Sequence, residues 1–583
     1  MKLWRNHTVA VCVALISAHA VSAPTVTSIA PARNVRSAPV NSSIVVTFDV
    51  PVLPSSIDST TFKVFGHWSG VPRGLFTLEN GNTRVRFQPQ RPFSAGELVT
   101  VSLSKGIRDQ GGAGMTRGYA WTFWAQTGPG TFTWTETNRI STRRQGENAV
   151  VTYGAYGGDL NRDGLLDILT TNEVTNDVRV WLGNQTGGYD TVRVFPLPNG
   201  NTPSPNEGTD LNGDGNMDYV CANYGTNRIH ILIGNGTGGF SSITPITVGT
   251  TPCHFGILDL EGDGDFDICV ANLTSNNLSV LRNNGNGTFA AATSMEAGVG
   301  GERTCAAADF NNDGILDLAV GGYGSNEIAV LLADSTGGLT FSAKRSARGS
   351  PWMMAVGDVN GDGNVDVVSA NSGANHSSVL FGDGLGGLDS ARIYPVGGSA
   401  IAIDLGDIDG DGDLDMVTSS YSGGAWTAHE NPGNGLFTNP HTFDAQNAAS
   451  CATLHDRDND GDLDMTGIDE LADLIFLFRN GPPVFVAGST NLPSSFEIEQ
   501  NYPNPFNGVT TFHFRISVNG FTSLRIYDLL GRETAVLVNE KKVAGEHTVQ
   551  WDASRQVGIP SGVYHYRLQT GSGSQTRKLI LLK

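Results

Sequence analysis

An acidic nine-residue pattern, D-x-[DNE]-x-D-G-x-x-D, occurs seven times, starting at Asp159, Asp210, Asp259, Asp309, Asp358, Asp407 and Asp456. The starts are 51, 49, 50, 49, 49 and 49 residues apart. A fixed period of this length marks a repeat architecture, in which each repeat is one supersecondary unit that buries its apolar faces only against its neighbours. Oxygen-bearing side chains crowded around a glycine point to a hard cation, calcium above all. Aspartates this close repel one another unless a cation compensates them.

In a tight loop, side chains one, three, five and nine face one centre, and the carbonyl of position seven adds an oxygen. The first loop then offers Asp159, Asn161, Asp163 and Asp167 with the carbonyl of Leu165. The second offers Asp210, Asn212, Asp214 and Asp218 with Asn216, and the third Asp259, Glu261, Asp263 and Asp267 with Asp265. The fourth offers Asp309, Asn311, Asp313 and Asp317 with Ile315, and the fifth Asp358, Asn360, Asp362 and Asp366 with Asn364. The sixth has Asp407, Asp409, Asp411 and Asp415 with Asp413, and the seventh Asp456, Asp458, Asp460 and Asp464 with Asp462. Glycine at position six lets the backbone turn without a Cβ clash. An EF-hand would need glutamate at position twelve, where this chain has Thr170, Cys221, Val270, Val320, Ser369, Thr418 and Gly467. The expectation is Ca2+, up to seven ions, one per repeat. The ions are expected to staple each blade without any signalling role, and the competing reading is plain polar turns.

The net charge of -20 belongs to these loops. They hold 24 carboxylates at their four side-chain positions, and without them the chain would stand at +4. No basic stripe is present to neutralise phosphates, so a nucleic-acid partner is not expected.

The first twenty residues read as a secretory signal: Lys2 and Arg5, an apolar stretch from Thr8 to Ala18 too short to span a bilayer, and the small-x-small site Ala18-His19-Ala20. Cleavage is expected after residue 20, or as late as 23. No other stretch is long and apolar enough for a membrane span. Cys12 leaves with the signal. Cys221, Cys253, Cys269, Cys305 and Cys451 remain, an odd number without metal spacing. They read as small buried hydrophobes, with one or two bridges left open.

Within each repeat an apolar strand enters the loop (Met354-Ala355-Val356-Gly357) and a second leaves it (Val365-Asp366-Val367-Val368). A polar turn, a third strand (Ser378-Val379-Leu380-Phe381), a glycine-rich hairpin and a fourth strand follow. Four strands in fifty residues make one propeller blade, and seven make a ring. After the third strand of repeat seven comes Gly481-Pro482-Pro483, which disfavours a fourth. Residues 131–138, ahead of the first loop, are therefore expected to complete blade seven and remove an open edge.

Spacing and strand order in this array, residues 130–487, resemble the FG-GAP/VCBS repeats of integrin α-subunit propellers, which implies calcium held between the first two strands of a blade. Residues 24–127 show alternating strands such as Ser43 to Phe48 and Arg84 to Phe87. Ile29-Ala30-Pro31, Val46-Thr47-Phe48-Asp49, Phe87-Gln88-Pro89 and Trp121-Thr122-Phe123 resemble bacterial Ig-like domains of the S-layer-associated kind, implying a separate spacer or adhesion module. Residues 488–583 carry Gln500-Asn501-Tyr502-Pro503-Asn504-Pro505-Phe506-Asn507, Ile526-Tyr527-Asp528-Leu529-Leu530-Gly531-Arg532, Trp551-Asp552, Ser561-Gly562-Val563-Tyr564 and the closing Lys578 to Lys583. This is similar to the C-terminal sorting domain of type IX secretion cargo, although Gly508 stands where that pattern often has proline. The similarity implies export across the outer membrane by the type IX machinery, removal of the tail, and release or surface attachment. The expected fold class is all-β: an N-terminal Ig-like sandwich, a seven-bladed propeller and a C-terminal Ig-like β-sandwich. Strands are expected at Thr511–Arg515, Ser523–Tyr527, His547–Trp551 and Tyr564–Leu568.

No catalytic set is readable. His254, His429 and His455 fall at unrelated repeat positions, as do Trp181, Trp352 and Trp426, and no nucleophile elbow, zinc spacing or phosphate loop is present. On the rim away from the metals, Asn172, Asn223, Tyr224, Asn272, Tyr323, Asn371 and Tyr421 form a ring of amides and phenols that could meet a sugar or a protein. The preferred reading is that the asparagines only shape the same turn in each repeat. The function expected is extracellular adhesion or ligand binding without catalysis. The rivals are a lyase or hydrolase acting on polysaccharide, and a structural matrix protein. Acids, His or Arg clustered at one rim centre would mark the enzyme, and an aromatic or amide rim without them the binder.

Overall fold

Every repeat folds as a four-stranded antiparallel sheet, with its strands side by side in chain order in the first six. The protein is described by a computed structural model over residues 22–481 apart from 185–186, and over 497–582 apart from 499, 502, 517–519, 543–544, 556–558 and 571–572. The expected signal segment, residues 1–20, and the stretch 482–496 ahead of the C-terminal domain lie outside the described residues.

Blade two is representative. Its strands are Pro203–Thr209, Asp218–Asn223, Arg228–Gly234 and Phe240–Thr247. The second is buried along its whole length, while the fourth is an exposed edge. A continuous apolar run suits a strand covered on both faces, and the alternating outer strand suits one that faces water. The innermost strands of successive blades pack on one another, and the last, Ala449–His455, packs on the first, Thr152–Gly158, which closes a ring of seven blades. The fourth strand follows the glycine-rich hairpin directly in blades two and four, at Phe240 and Leu339, but begins well after it at Arg392–Pro395 in blade five and Thr293–Met295 in blade three.

Blade seven is completed from the other end of the array, by Thr135–Ser141 paired to Leu474–Arg479 with Ile140 opposite Ile475. This strand lies a few residues later than the expected 131–138. Phe132 and Trp134 are withdrawn from pairing because they are buried in the cluster that holds Trp426 and Phe478. Burial of two large aromatic faces outweighs extending the ladder.

The Ig-like domain has two sheets, Val26–Ala30, Ile44–Phe48, Arg84–Pro89 and Gly74–Glu79 against Phe62–Gly66, Leu98–Leu103 and Tyr119–Trp124. Val46, Val85, Val101, Trp121 and Phe123 are fully buried between them. The domain is not a separate spacer. It forms one compact unit with the propeller and sits on the metal-loop face. Phe65, Trp68, Ala120 and Trp124 are buried in the propeller's own clusters. Polar bonds reach six of the seven loops. They include Arg36 to Asp413 at 2.6 Å, Lys63 to Asp265 at 3.2 Å, Arg33 to Asp309 at 3.0 Å and Thr127 Oγ1 to Asp407 at 2.7 Å. Asn34 Nδ2 donates to the Gly363 carbonyl, Asp159 N–H to the Trp68 carbonyl, and Gly128 N–H to the Gly461 carbonyl.

The C-terminal domain is a second compact unit. One sheet holds Glu497–Ile498, Val509–Ile516 and Gly545–Asp552; the other holds Glu533–Lys542, Gly520–Tyr527, Gly562–Thr570 and Gly573–Leu581. Phe512, Ile526, Tyr566, Leu568 and Leu581 form its core. The strands at 533–542 and 573–581 were not expected from the sequence.

Candidate functional site

The loops are built alike from the backbone outward. Position six is a glycine with φ between 82 and 98° in all seven, a conformation in which a Cβ would be strained. Position four is also left-handed, and Gly, Asn or Arg stands there. The position-one aspartate accepts from the backbone of the turn it encloses, as Asp159 does from Asp163 N–H at 3.0 Å and Gly164 N–H at 2.9 Å. The position-nine aspartate is at most 2% exposed in every blade. Asp167 accepts from Leu160 N–H at 2.9 Å and from Gly183 N–H at 2.8 Å, tying the loop to the end of strand three. Asp218, Asp267, Asp317, Asp366 and Asp415 repeat both bonds.

Burial sets the electrostatics. Desolvation, with the neighbouring carboxylates adding to it, pushes Asp167, Asp218 and Asp366 up to about 8 and Asp415 up to about 9. Asp159 is raised to about 6 in the same way. Such sites favour either protonation or a cation. In loops six and seven, carboxylate oxygens of Asp407, Asp409 and Asp415, and of Asp456, Asp458 and Asp460, lie within 4.8 Å of one another. In loops one, two, four and five, the asparagine at position three and the aspartate at position five face each other, as Asn161 Nδ2 and Asp163 Oδ2 do at 2.9 Å. These residues fit a calcium ion: hard oxygens, buried charge and a preformed turn. Loop three departs from the pattern, because Arg282 reaches into it.

The opposite rim is the one the Ig-like domain leaves uncovered. The expected amides are not on its surface. Asn172, Asn223, Asn272 and Asn371 are fully buried at the ends of second strands, where they bond within their own blades, as Asn371 Nδ2 does to Ser378 Oγ at 2.6 Å. They shape the turn; the phenols remain. Residues one place later in each repeat are Glu173, Tyr224, Leu273, Tyr323, Ser372, Tyr421 and Glu470. Six are half-buried, and Glu470 is 7% exposed.

Side chains of five blades meet across the channel just inside this ring. Arg303 Nη1 donates to Tyr224 Oη at 2.9 Å and to Cys253 Sγ at 3.4 Å, and Nη2 to Tyr153 Oη at 3.4 Å. Its guanidinium lies 3.3 Å from the centroid of the Trp352 ring, and Trp352 Nε1 donates to Tyr153 Oη at 2.6 Å. Tyr421 Oη donates to Glu470 Oε1 at 3.1 Å. Burial and the charge of Glu173 push Glu470 up to about 7. Burial also raises Glu173 against the pull of Arg303, and pushes Tyr153 up to about 12. Arg303, Glu173, Glu470 and Tyr153 were missed in the sequence. The signal was register: Tyr153, Ser204, Cys253, Arg303, Trp352, Ile401 and Ser450 occupy one repeat position, so Trp352 does have equivalents.

Between this plug and the Ig-like domain lies a central cavity of about 280 Å³, lined by His67, Trp68 and Trp124 at one end and Tyr153 at the other. His254, Glu207 and Asp404 line its wall. Burial lowers His254 to about 4 and raises Glu207 to about 8. His429 and His455 are buried, lowered to about 4 and about 3, and His455 bonds Thr466 at 2.7 Å, so neither reaches the rim. Trp181 and Trp426 are core residues. All five described cysteines are free and buried, so no bridge forms.

Three family models match. A bacterial Ig-like domain covers residues 20–125. FG-GAP-like repeats cover 210–270, 259–320, 309–369, 358–418 and 407–466. A secretion system C-terminal sorting domain covers 500–582. The chain carries all three, and the sorting domain places it among exported proteins, secreted or on the cell surface. None of the curated proteins matches it. Among solved structures, an Agrocybe aegerita lectin described as recognising non-reducing terminal N-acetylglucosamine is 17% identical over 69% of this chain and 94% of its own, with a TM-score of 0.36. A Lactobacillus plantarum protein is 14% identical over 67% and 98%, with a TM-score of 0.39. At these scores neither bears on function.

Proposed function

We propose that this exported propeller of FG-GAP-like repeats is a calcium-stabilised binding protein that takes an extracellular glycan or protein on the rim facing away from its Ig-like domain. The observation that carries the reading is the division of the two faces. The Ig-like domain covers the metal loops and the channel end beside them, while Tyr224, Tyr323, Tyr421 and Trp352 stay half-buried around the other mouth. Aromatic rings held at half-burial give apolar contact area at low entropic cost and keep a hydroxyl for a polar partner. Calcium in the loops would be structural, with the type IX machinery as partner of the tail.

The Arg and acid cluster named above as the mark of an enzyme is present, and it supports a second reading: a polysaccharide-acting lyase or hydrolase with Glu470, at about 7, as acid or base. Binding is preferred because Arg303 is held by four side chains and Tyr153 keeps its proton, so neither is poised for chemistry. The test is a glycan array with the exported chain in calcium, beside Tyr323→Ala. Retention of one glycan class, weakened at least tenfold in the variant at unchanged melting temperature, is expected. Binding indifferent to Tyr323, or product released from polysaccharide and lost in Glu470→Gln, would defeat this reading, the latter in favour of the enzyme.

A further inference from the structure

We propose that loop three holds no calcium, because the guanidinium of Arg282 occupies the position the ion takes elsewhere. The inference rests on the reading that the other loops bind calcium. Arg282 Nη1 lies 2.6 Å from Glu261 Oε2 and 3.3 Å from Asp267 Oδ2, the side chains of positions three and nine. It therefore spans the pocket. Nη2 donates to the Gly337 carbonyl of the next blade, which anchors the group. A calcium ion would need the same two oxygens at about 2.3–2.6 Å. It would also sit against a fixed positive charge, which excludes joint occupancy.

Two more side chains of loop three have partners in the Ig-like domain. Lys63 meets Asp265 at 3.2 Å, and Ser102 Oγ donates to Asp259 Oδ2 at 3.2 Å. Loops three, six and seven each carry four carboxylates at positions one, three, five and nine. Three of them converge in loops six and seven; among the described residues, no such convergence occurs in loop three.

The repeat gives an independent sign. Fifteen residues after position nine stand Leu182, Ile233, Arg282, Leu332, Phe381, Glu430 and Arg479. The four loops with asparagine at position three have an apolar residue there. The two arginines accompany loops with an added acid. Arg479 differs in what it touches: Asp458 at 3.0 Å and Asp460 at 2.5 Å, positions three and five, while Asp456, Asp458 and Asp460 still converge. That arginine balances the added charge without spanning positions three and nine; Arg457 Nη2 stands 3.6 Å from Asp464 Oδ2, longer than either contact of Arg282.

Crystals of the full chain with calcium exchanged for terbium test this by anomalous scattering. Peaks are expected in the other loops, with none between Glu261 and Asp267. In solution, Arg282→Leu, the residue found in blades one and four, should raise the calcium content by one ion per chain. A peak in loop three of the native protein, or a folded Arg282→Leu with an unchanged ion count, overturns the proposal while leaving the calcium reading intact. Loops without any peak overturn both. Should the variant not fold, the native crystal decides alone.

Discussion

The buried position-nine aspartates make stability depend on pH in opposite senses with and without calcium. Uncompensated by a cation, Asp167, Asp218 and Asp366 titrate near 8 and Asp415 near 9 in the folded chain, against 3.8 unfolded. Between those values the folded state holds protons that the unfolded state has released, so stability falls as pH rises. One such carboxylate contributes a slope of up to about 1.4 kcal/mol per pH unit, or about 2.7 kcal/mol from pH 5 to 7. Against a total stability of roughly 5–15 kcal/mol for a domain, even two of them would be decisive. Calcium selects the ionised form and abolishes that slope above pH 5. Six histidines, the half-buried His67 and the buried His230, His254, His376, His429 and His455, have lowered values and act the other way below pH 6.5. They are common to both conditions, so the readout is the difference between them. Thermal melts from pH 5 to 8 should show the melting temperature falling in chelator and staying level or rising in millimolar calcium, with the gap widening toward pH 8. Parallel curves would refute the argument that these carboxylates carry the metal linkage.

Deleting Thr135–Ser141 should expose the edge of Leu474–Arg479, whose run Leu474-Ile475-Phe476-Leu477-Phe478 has no charge to deter pairing; light scattering should show self-association, and a stable monomer would argue against closure by this strand. Glu97 is fully buried and accepts from Trp68 N–H at 3.0 Å, Ser69 N–H at 2.9 Å and Ser94 N–H at 2.8 Å. Glu97→Ala should destabilise by about 3 kcal/mol or more by denaturant titration and free Trp68 from the channel, seen as a shift in tryptophan emission; a loss under about 1 kcal/mol would show those donors to be satisfied otherwise.

The blades were legible because their determinants are local. A glycine that must take positive φ, an aspartate that bonds backbone within its own loop, and an alternation that places a strand all lie within a few residues. The closing strand was legible from what was missing, the proline-blocked end of repeat seven, and its displacement to 135–141 was not, because Phe132 and Trp134 are drawn to partners three hundred residues away. The asparagines of the rim shape turns, as the sequence favoured, but their burial was not legible: sequence marks where a turn lies, and only packing decides whether a side chain points into the sheet or out of it. Arg303 carried no local signature. Its partners come from blades one, two, three and five, and only alignment of the repeats on one another puts them at one height.

Docking of the Ig-like domain was the least legible feature, and it changes what the loops are for. Arg33, Arg36 and Lys63 look like scattered surface cations in the sequence, yet each ends on a loop carboxylate. The face that carries the acidic loops is instead a joint between domains. The channel is stopped by Trp68 and Trp124 on that side and by Arg303 stacked on Trp352 on the other, so nothing can thread the ring without breaking one of the two plugs. On the binding reading proposed above, recognition would fall to the outer surface of the second plug. There a buried guanidinium holds five blades together beneath the phenols, and a binding rim gains from being rigid before its ligand arrives.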